Sequence, residues 1–200
     1  MPSEHERGSH AILSPSAAER WLQCPASILA AKDLIEDGAT GSVYAEEGTA
    51  AHALAELQAR SKLVKHMQRD EFGRALSDWR KQYGSWIVDE AEMFKHAHEY
   101  VELLRGKLAE TPGSVLLLEQ RVPTGVPSCW GTSDAVIVSP TVVEIVDYKY
   151  GKGVQVWAEN NPQTRLYGVG ALEAFGDLLG EIKEVRITVF QPRINHVSTE

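Results

Sequence analysis

The sequence predicts an α/β fold: a mixed central sheet flanked by helices, preceded by a mainly helical part. Three observations carry this. Residues 1–110 hold long stretches of strong helix formers at helical spacing. From residue 111 the chain breaks into short β-branched runs separated by Pro, Gly and Ser turns. A last alternating run, Glu184 to Gln191, is reached only through another helix, and a strand that returns by a helical crossover favours a parallel partner. The 200 residues suit a single domain, 1–110 mainly helical and 111–200 a βββαβ core.

The elements follow in order. Ser14-Pro15 is a helix start, with serine as N-cap, and the helix runs from Ser16 to Gln23 with Trp21 and Leu22 as anchors. A second short helix is expected from Ala26 to Leu34, then a loop from Asp37 to Ser42. Thr49 is read as the N-cap of a helix over Ala50 to Lys65, on which His52 and Glu56, four apart, share a face. Residues 66–84 are charged and poorly periodic, a helix interrupted at Gly73 and Gly84. Ser85 to Leu108 is a long amphipathic helix, with His96 and His98 on its surface. Thr111-Pro112-Gly113 ends it, and Ser114 to Val122 is a strand on which Glu119 shares a face with Leu117 and Val115, either facing the same site as Asp134 or solvated at the strand end.

A hairpin follows, turning at Ser139-Pro140-Thr141, with Asp134, Val136 and Val138 on one face of its first strand. Its second strand, Val142 to Tyr150, puts Val143, Ile145, Asp147 and Lys149 on one face. Asn161 caps a helix that runs to Phe175 and sets Gln163 and Tyr167 four apart on one stripe, with Arg165 pointing elsewhere.

Composition excludes several classes. No apolar run approaches the ~20 residues of a membrane span, and residues 1–10 lack a signal peptide's apolar stretch, so the expected location is cytoplasmic. Cys24 and Cys129 make neither a disulfide framework nor a Cys-x-x-Cys metal pair, and Cys24 is read as a buried thiol. A net charge of −8 argues against a general nucleic-acid binder. The charge is uneven, however: residues 60–81 hold seven basic and three acidic side chains between acidic flanks. Within that run Lys62, Lys65 and Arg69 are candidate phosphate contacts, and the same run is equally consistent with a solvated face.

The chemistry-bearing feature is charge where a structural strand would place valine. Two carboxylates that share a site repel, and a divalent cation removes that penalty. Hard oxygen ligands suit Mg²⁺ or Mn²⁺. A lysine two residues from a ligand can stabilise developing negative charge or hold an attacking water, as phosphodiester hydrolysis requires. An isolated Asp-x-Lys is also a common cross-strand ion pair, so the motif needs its neighbours.

Gly-Thr-Ser-Asp at 131–134, Asp-Tyr-Lys at 147–149, Gln-Thr-Arg-Leu-Tyr at 163–167 and Gly-Thr-Ala-Ala-His ending at His52 resemble, in that order, the motifs of PD-(D/E)XK nucleases. The closest likeness is to the RecB-type branch, with its CRISPR-adaptation nucleases. It covers residues 48–191, and the opening residues 10–27 resemble a phage-borne family of uncharacterised proteins. The resemblance implies a PD-(D/E)XK nuclease-like core and a Mg²⁺- or Mn²⁺-dependent deoxyribonuclease, an exonuclease by analogy, in phage DNA processing or recombination. Its implied partners are DNA and phage recombination or single-strand-binding proteins. Asp134, Asp147 and His52 would hold the metal with the Tyr148 backbone carbonyl nearby, and Glu119 as a further candidate. Lys149 would be the catalytic lysine, Gln163 and Tyr167 would support the site, and Lys152 and Arg165 would add DNA contacts. Relatives with an iron–sulfur cluster carry one early cysteine, like Cys24 before Pro25, and three late cysteines that this sequence does not have; either this is a truncated or minimal form or no cluster is made, and none is expected from this chain alone. The rival reading is a nuclease-fold module that binds DNA or a partner without cleaving.

Overall fold

The computed structural model describes residues 11–30, 43–179 and 181–200. The expected loop at 37–42 and the end of the helix expected to reach Leu34 lie outside them. A 3₁₀ turn (Pro15–Ala17) leads into α1 (Ala18–Gln23). The long helices are α2 (Val43–Ala59), continued by a π-helical turn (Arg60–Val64), α3 (Arg69–Tyr83) and α4 (Glu90–Glu110). The sheet contains β1 (Val115–Pro123), β2 (Trp130–Val138), β3 (Val142–Tyr148), β4 (Glu184–Gln191) and β5 (His196–Thr199), with α5 (Pro162–Leu179) crossing between β3 and β4.

The five strands lie in sequence order, and only β3–β4 is parallel. The mixed α/β sheet is therefore as expected from the helical crossover. One face carries α2, α4 and Trp79 of α3 over Leu116, Leu118, Ala135, Ile137, Val146 and Tyr148. The other carries α5, whose Tyr167 and Ala171 pack on Val122, Val136, Val138, Val143 and Ile145. Alternate residues of β2 and β3 thus enter different cores, as period two requires. No helix among the described residues is long and apolar enough to cross a membrane.

Several local expectations are corrected. Helix α2 is already helical at Val43, the first described residue of that stretch, so Thr49 is mid-helix and its hydroxyl bonds back to the Ala45 carbonyl at 3.0 Å. Helix α3 runs unbroken through Gly73, because Trp79 is buried and anchors it. Helix α4 starts five residues late, where Asp89 accepts the Glu92 N–H. His96 is buried rather than on the surface, and Cys24 and Leu22 are exposed. Of the two expected anchors of the first helix, Trp21 serves, its Nε1 donating to the Ser14 carbonyl at 2.9 Å. Strand β5 was not foreseen: its four residues are too short for a periodic signal, and their partner β4 is joined to them by a tight turn with Asn195 at φ 52°.

Candidate active site

The site grows from a fork in the sheet. Strands β2 and β3 pair from Val138↔Val143 to Ala135↔Val146. Beyond that point β2 remains with β1, while β3 continues against β4 through Tyr148↔Phe190 and the Lys149 N–H to Phe190 carbonyl bond of 2.8 Å. The next residues at the fork are Asp134 on β2 and Asp147 on β3. A carboxylate on each branch is what the Asp…Asp-x-Lys spacing anticipated.

Asp134 turns toward α2. Its Oδ1 lies 2.9 Å from His52 Nδ1, and its Oδ2 accepts the Tyr148 N–H at 2.8 Å. Tyr148 also packs its ring edge-on to His52 at 5.3 Å. The third member is Glu119. Its ligand oxygen, one from Asp134 and a His52 ring nitrogen all lie within 4.8 Å of one another. Glu119 gets there through a left-handed backbone, φ 49°, which costs a non-glycine residue about 1–3 kcal/mol. That residue also switches the faces of β1: Leu116 and Leu118 enter the helical core, yet Val122, at the same parity, enters the α5 core. Simple alternation with Leu117 and Val115 was therefore wrong for Glu119.

Electrostatics follow this geometry. Burial works against the His52 imidazolium, but the Asp134 carboxylate outweighs it and raises the His52 pKa. Burial likewise opposes the Asp134 charge, and His52, Lys149 and the Tyr148 N–H together hold its pKa below the ordinary carboxylate value. Glu119 is pushed up to about 7 by burial and by the nearby Asp134 and Glu56 carboxylates. The three residues, with Ala55, Glu56, Tyr100 and Tyr148, line a cavity of about 10 Å³, room for one water or ion.

The second half of the fork is a closed triangle. Lys149 Nζ stands 3.0 Å from Asp147 Oδ2 and donates to Gln163 Oε1 at 3.0 Å, while Gln163 Nε2 donates to Asp147 Oδ1 at 3.3 Å. The amide orientation is dictated: turned over, its NH₂ would face the ammonium. Gln163 Nε2 also reaches the Tyr167 hydroxyl at 3.4 Å. Asp147 is only 2 % exposed, and burial raises its pKa despite Lys149. Its Oδ2 makes no well-aligned hydrogen bond although Nζ is close.

Distant packing holds the pieces. Asn161 Oδ1 accepts the Gln163 and Thr164 N–H groups at 3.1 and 3.3 Å, the expected cap that starts α5 beside the site. A Cβ on Gly131 would meet Tyr167 Cε1 at 2.8 Å, so glycine there lets Tyr167 approach β2. Arg193, whose side chain is only 6 % exposed, donates to Glu47 of α2 and Glu92 of α4, each at 2.9 Å, and lies over the Tyr150 ring. It ties the helix that carries His52 to the end of β4. Nothing in local sequence marked Arg193 for this.

The donor chemistry is one that could hold a divalent cation: an imidazole nitrogen from His52 and carboxylate oxygens from Glu119 and Asp134, while Asp147 Oδ2 faces the Lys149 ammonium. The compact trio, however, is His52, Glu119 and Asp134 rather than His52, Asp134 and Asp147. Of Tyr148, the group seen at the site is its N–H. The proposed DNA contacts are mostly engaged within the chain. Lys62 Nζ lies 3.2 Å from His98, Lys65 bonds Glu71 at 2.8 Å, and Arg165 pairs with Glu200. Arg69 lies at the exposed start of α3, and Lys152 is exposed in the loop after β3.

A family model described as "Protein of unknown function (DUF2800)" matches residues 10–200.

Proposed function

The chain belongs to the DUF2800 family, and we propose that it is a metal-dependent nuclease that hydrolyses phosphodiester bonds in DNA. In this reading the βββαβ core is of the PD-(D/E)XK type, with His52, Glu119 and Asp134 as principal metal ligands. The observation that carries it is the meeting, at one strand fork, of that trio with the Asp147–Lys149–Gln163 triangle. A purely structural ion pair would need neither a strained Glu119 nor a glutamine cap on the lysine.

Hydrolysis joins a water oxygen to phosphorus and breaks the bond to the leaving sugar oxygen, while negative charge grows on the oxygens around phosphorus. A bound Mg²⁺ or Mn²⁺ would supply Lewis acidity to the phosphate and lower the pKa of a coordinated water. Lys149 supplies the matching positive charge at the fork. Asp147 and Gln163 hold its ammonium in place, so little reorganisation accompanies the reaction. Tyr167 and the Asn161 cap fix Gln163 in turn.

The test is incubation of linear and circular DNA, single- and double-stranded, with Mg²⁺, Mn²⁺ or EDTA. Cleavage is expected with either metal and none with EDTA. Absence of cleavage in every arm, with no Mn²⁺ uptake by calorimetry, would reject the reading.

A further inference from the structure

Beside the fork lies a groove of about 720 Å³, walled by the 3₁₀ turn and α1, the loop from 154 to 161 and the first turn of α5. Lys149 and Gln163 line it too, so it is continuous with the candidate active site. The groove is also lined by Trp157, 58 % exposed, and by the exposed Val154 and Leu22. A large aromatic face left in solvent next to a catalytic lysine calls for an explanation.

The loop is built to hold that face outward. Gln191, itself buried, accepts the Val156 N–H at 3.0 Å and donates to the Gly151 and Val154 carbonyls at 2.7 and 2.9 Å. Ser198 Oγ accepts the Ala158 N–H at 3.0 Å, and Asn161 Nδ2 donates to the Trp157 carbonyl at 3.0 Å. The indole meets His196 edge-on at 4.7 Å, and His196 is fixed between Gln155 and the Val156 carbonyl. The ordering cost of this platform is met in folding, which leaves its open face preorganised for a flat partner.

The walls select the partner. Lys149 is the one cation among the described residues that line the groove, whereas Glu19 and Glu159 are anionic and Gln155, Gln163 and Asn160 are amides. Such a groove repels a phosphate backbone except at its Lys149 end, and it offers an aromatic plane with hydrogen-bonding amides. An unpaired nucleobase has that complement: a π-face to stack and edges to bond. Bases inside a duplex present no free face.

Resting on the nuclease reading, we propose that Trp157 stacks an unpaired base of the strand being cut. The groove thereby makes single-stranded or frayed DNA ends the favoured substrate.

The experiment uses the full chain with Mn²⁺ and compares wild type, Trp157→Phe and Trp157→Ala on a single-stranded oligonucleotide and a blunt duplex. The single-stranded oligonucleotide is also tested with one abasic position moved along it. Loss of one base–aromatic stack should raise KM for the single strand on the order of tenfold in Trp157→Ala, with kcat changed much less. Trp157→Phe should stay near wild type. One abasic position should mimic Trp157→Ala and make no further difference in that variant. Equal single-strand KM for wild type and Trp157→Ala would overturn the stacking role while leaving the nuclease intact. Preference for the duplex would also overturn it. If no DNA is cleaved, fluorescence anisotropy of the same oligonucleotide decides. Single-strand binding weakened in Trp157→Ala and kept in Trp157→Phe supports the groove; its absence refutes it.

Discussion

Replacing Lys149 by alanine separates chemistry from stability, and the geometry sets both magnitudes. In the metal-free protein Asp147 is buried, its carboxyl already raised because desolvation outweighs Lys149. Lys149→Ala leaves the Gln163 amide and the more distant His52 to offset that charge. Removing one partner of a fully buried pair costs about 3–5 kcal/mol. Lys149 keeps about a quarter of its side chain in solvent (26 %), so we expect about 2 kcal/mol. For a chain of this size that is about 4–8 °C in Tm. The sign follows from Asp147: a carboxyl whose folded pKa is raised loses stability as pH rises above its unfolded value. The deficit of Lys149→Ala should therefore be full near pH 7 and vanish below about pH 4, where Asp147 is protonated. The assay is thermal or urea unfolding in EDTA at both pH values for Lys149→Ala, Asp147→Asn and the double variant. Asp147→Asn should be no less stable than wild type by more than about 1 kcal/mol, and should rescue most of the Lys149→Ala deficit. With Mn²⁺ present, Lys149→Ala should still bind the ion, yet cleave roughly 10²–10³-fold more slowly. A pH-independent deficit, or a double variant as unstable as the sum of the singles, would refute the coupling. Wild-type cleavage by Lys149→Ala would refute the mechanism.

Other outcomes are equally checkable. Glu119→Gln should raise Tm in EDTA at pH 8 and change it little at pH 4, because ionising a carboxyl raised from 4.5 to about 7 costs stability across that interval; in calorimetry the same variant should lose Mn²⁺ affinity. Gly170→Ala should destabilise by about 2–4 kcal/mol, since its methyl would run into the Pro123 carbonyl oxygen and press on Val122, forcing α5 off β1; urea titration measures this. Replacing Lys62, Lys65 and Arg69 together should leave the salt slope of DNA binding within about one log unit of wild type, because Lys62 and Lys65 are engaged by His98 and Glu71; a larger fall would make that run a phosphate contact.

What local sequence determined was the kind and order of elements. Period two in Val142–Tyr148 and helix formers in α4 are properties of neighbouring residues, and so is the Asn161 cap. The parallel β3–β4 pair followed because a helix must intervene between them. The Asp…Asp-x-Lys spacing was legible because charge on a buried strand is costly wherever the strand lies. Tertiary structure decided the rest. His52 and Asp134 meet across 82 positions, and no local pattern encodes which distant donors converge. Helix α2 extends well before Thr49 and is tied at Glu47 to Arg193, 146 positions away, so a plausible threonine cap in mid-helix was overridden. Glu119 became a ligand candidate ahead of Asp147 through one left-handed residue, a backbone state that β-strand alternation cannot announce. Periodicity reports which face a side chain takes when the backbone is regular, and this site is assembled where the backbone departs from it.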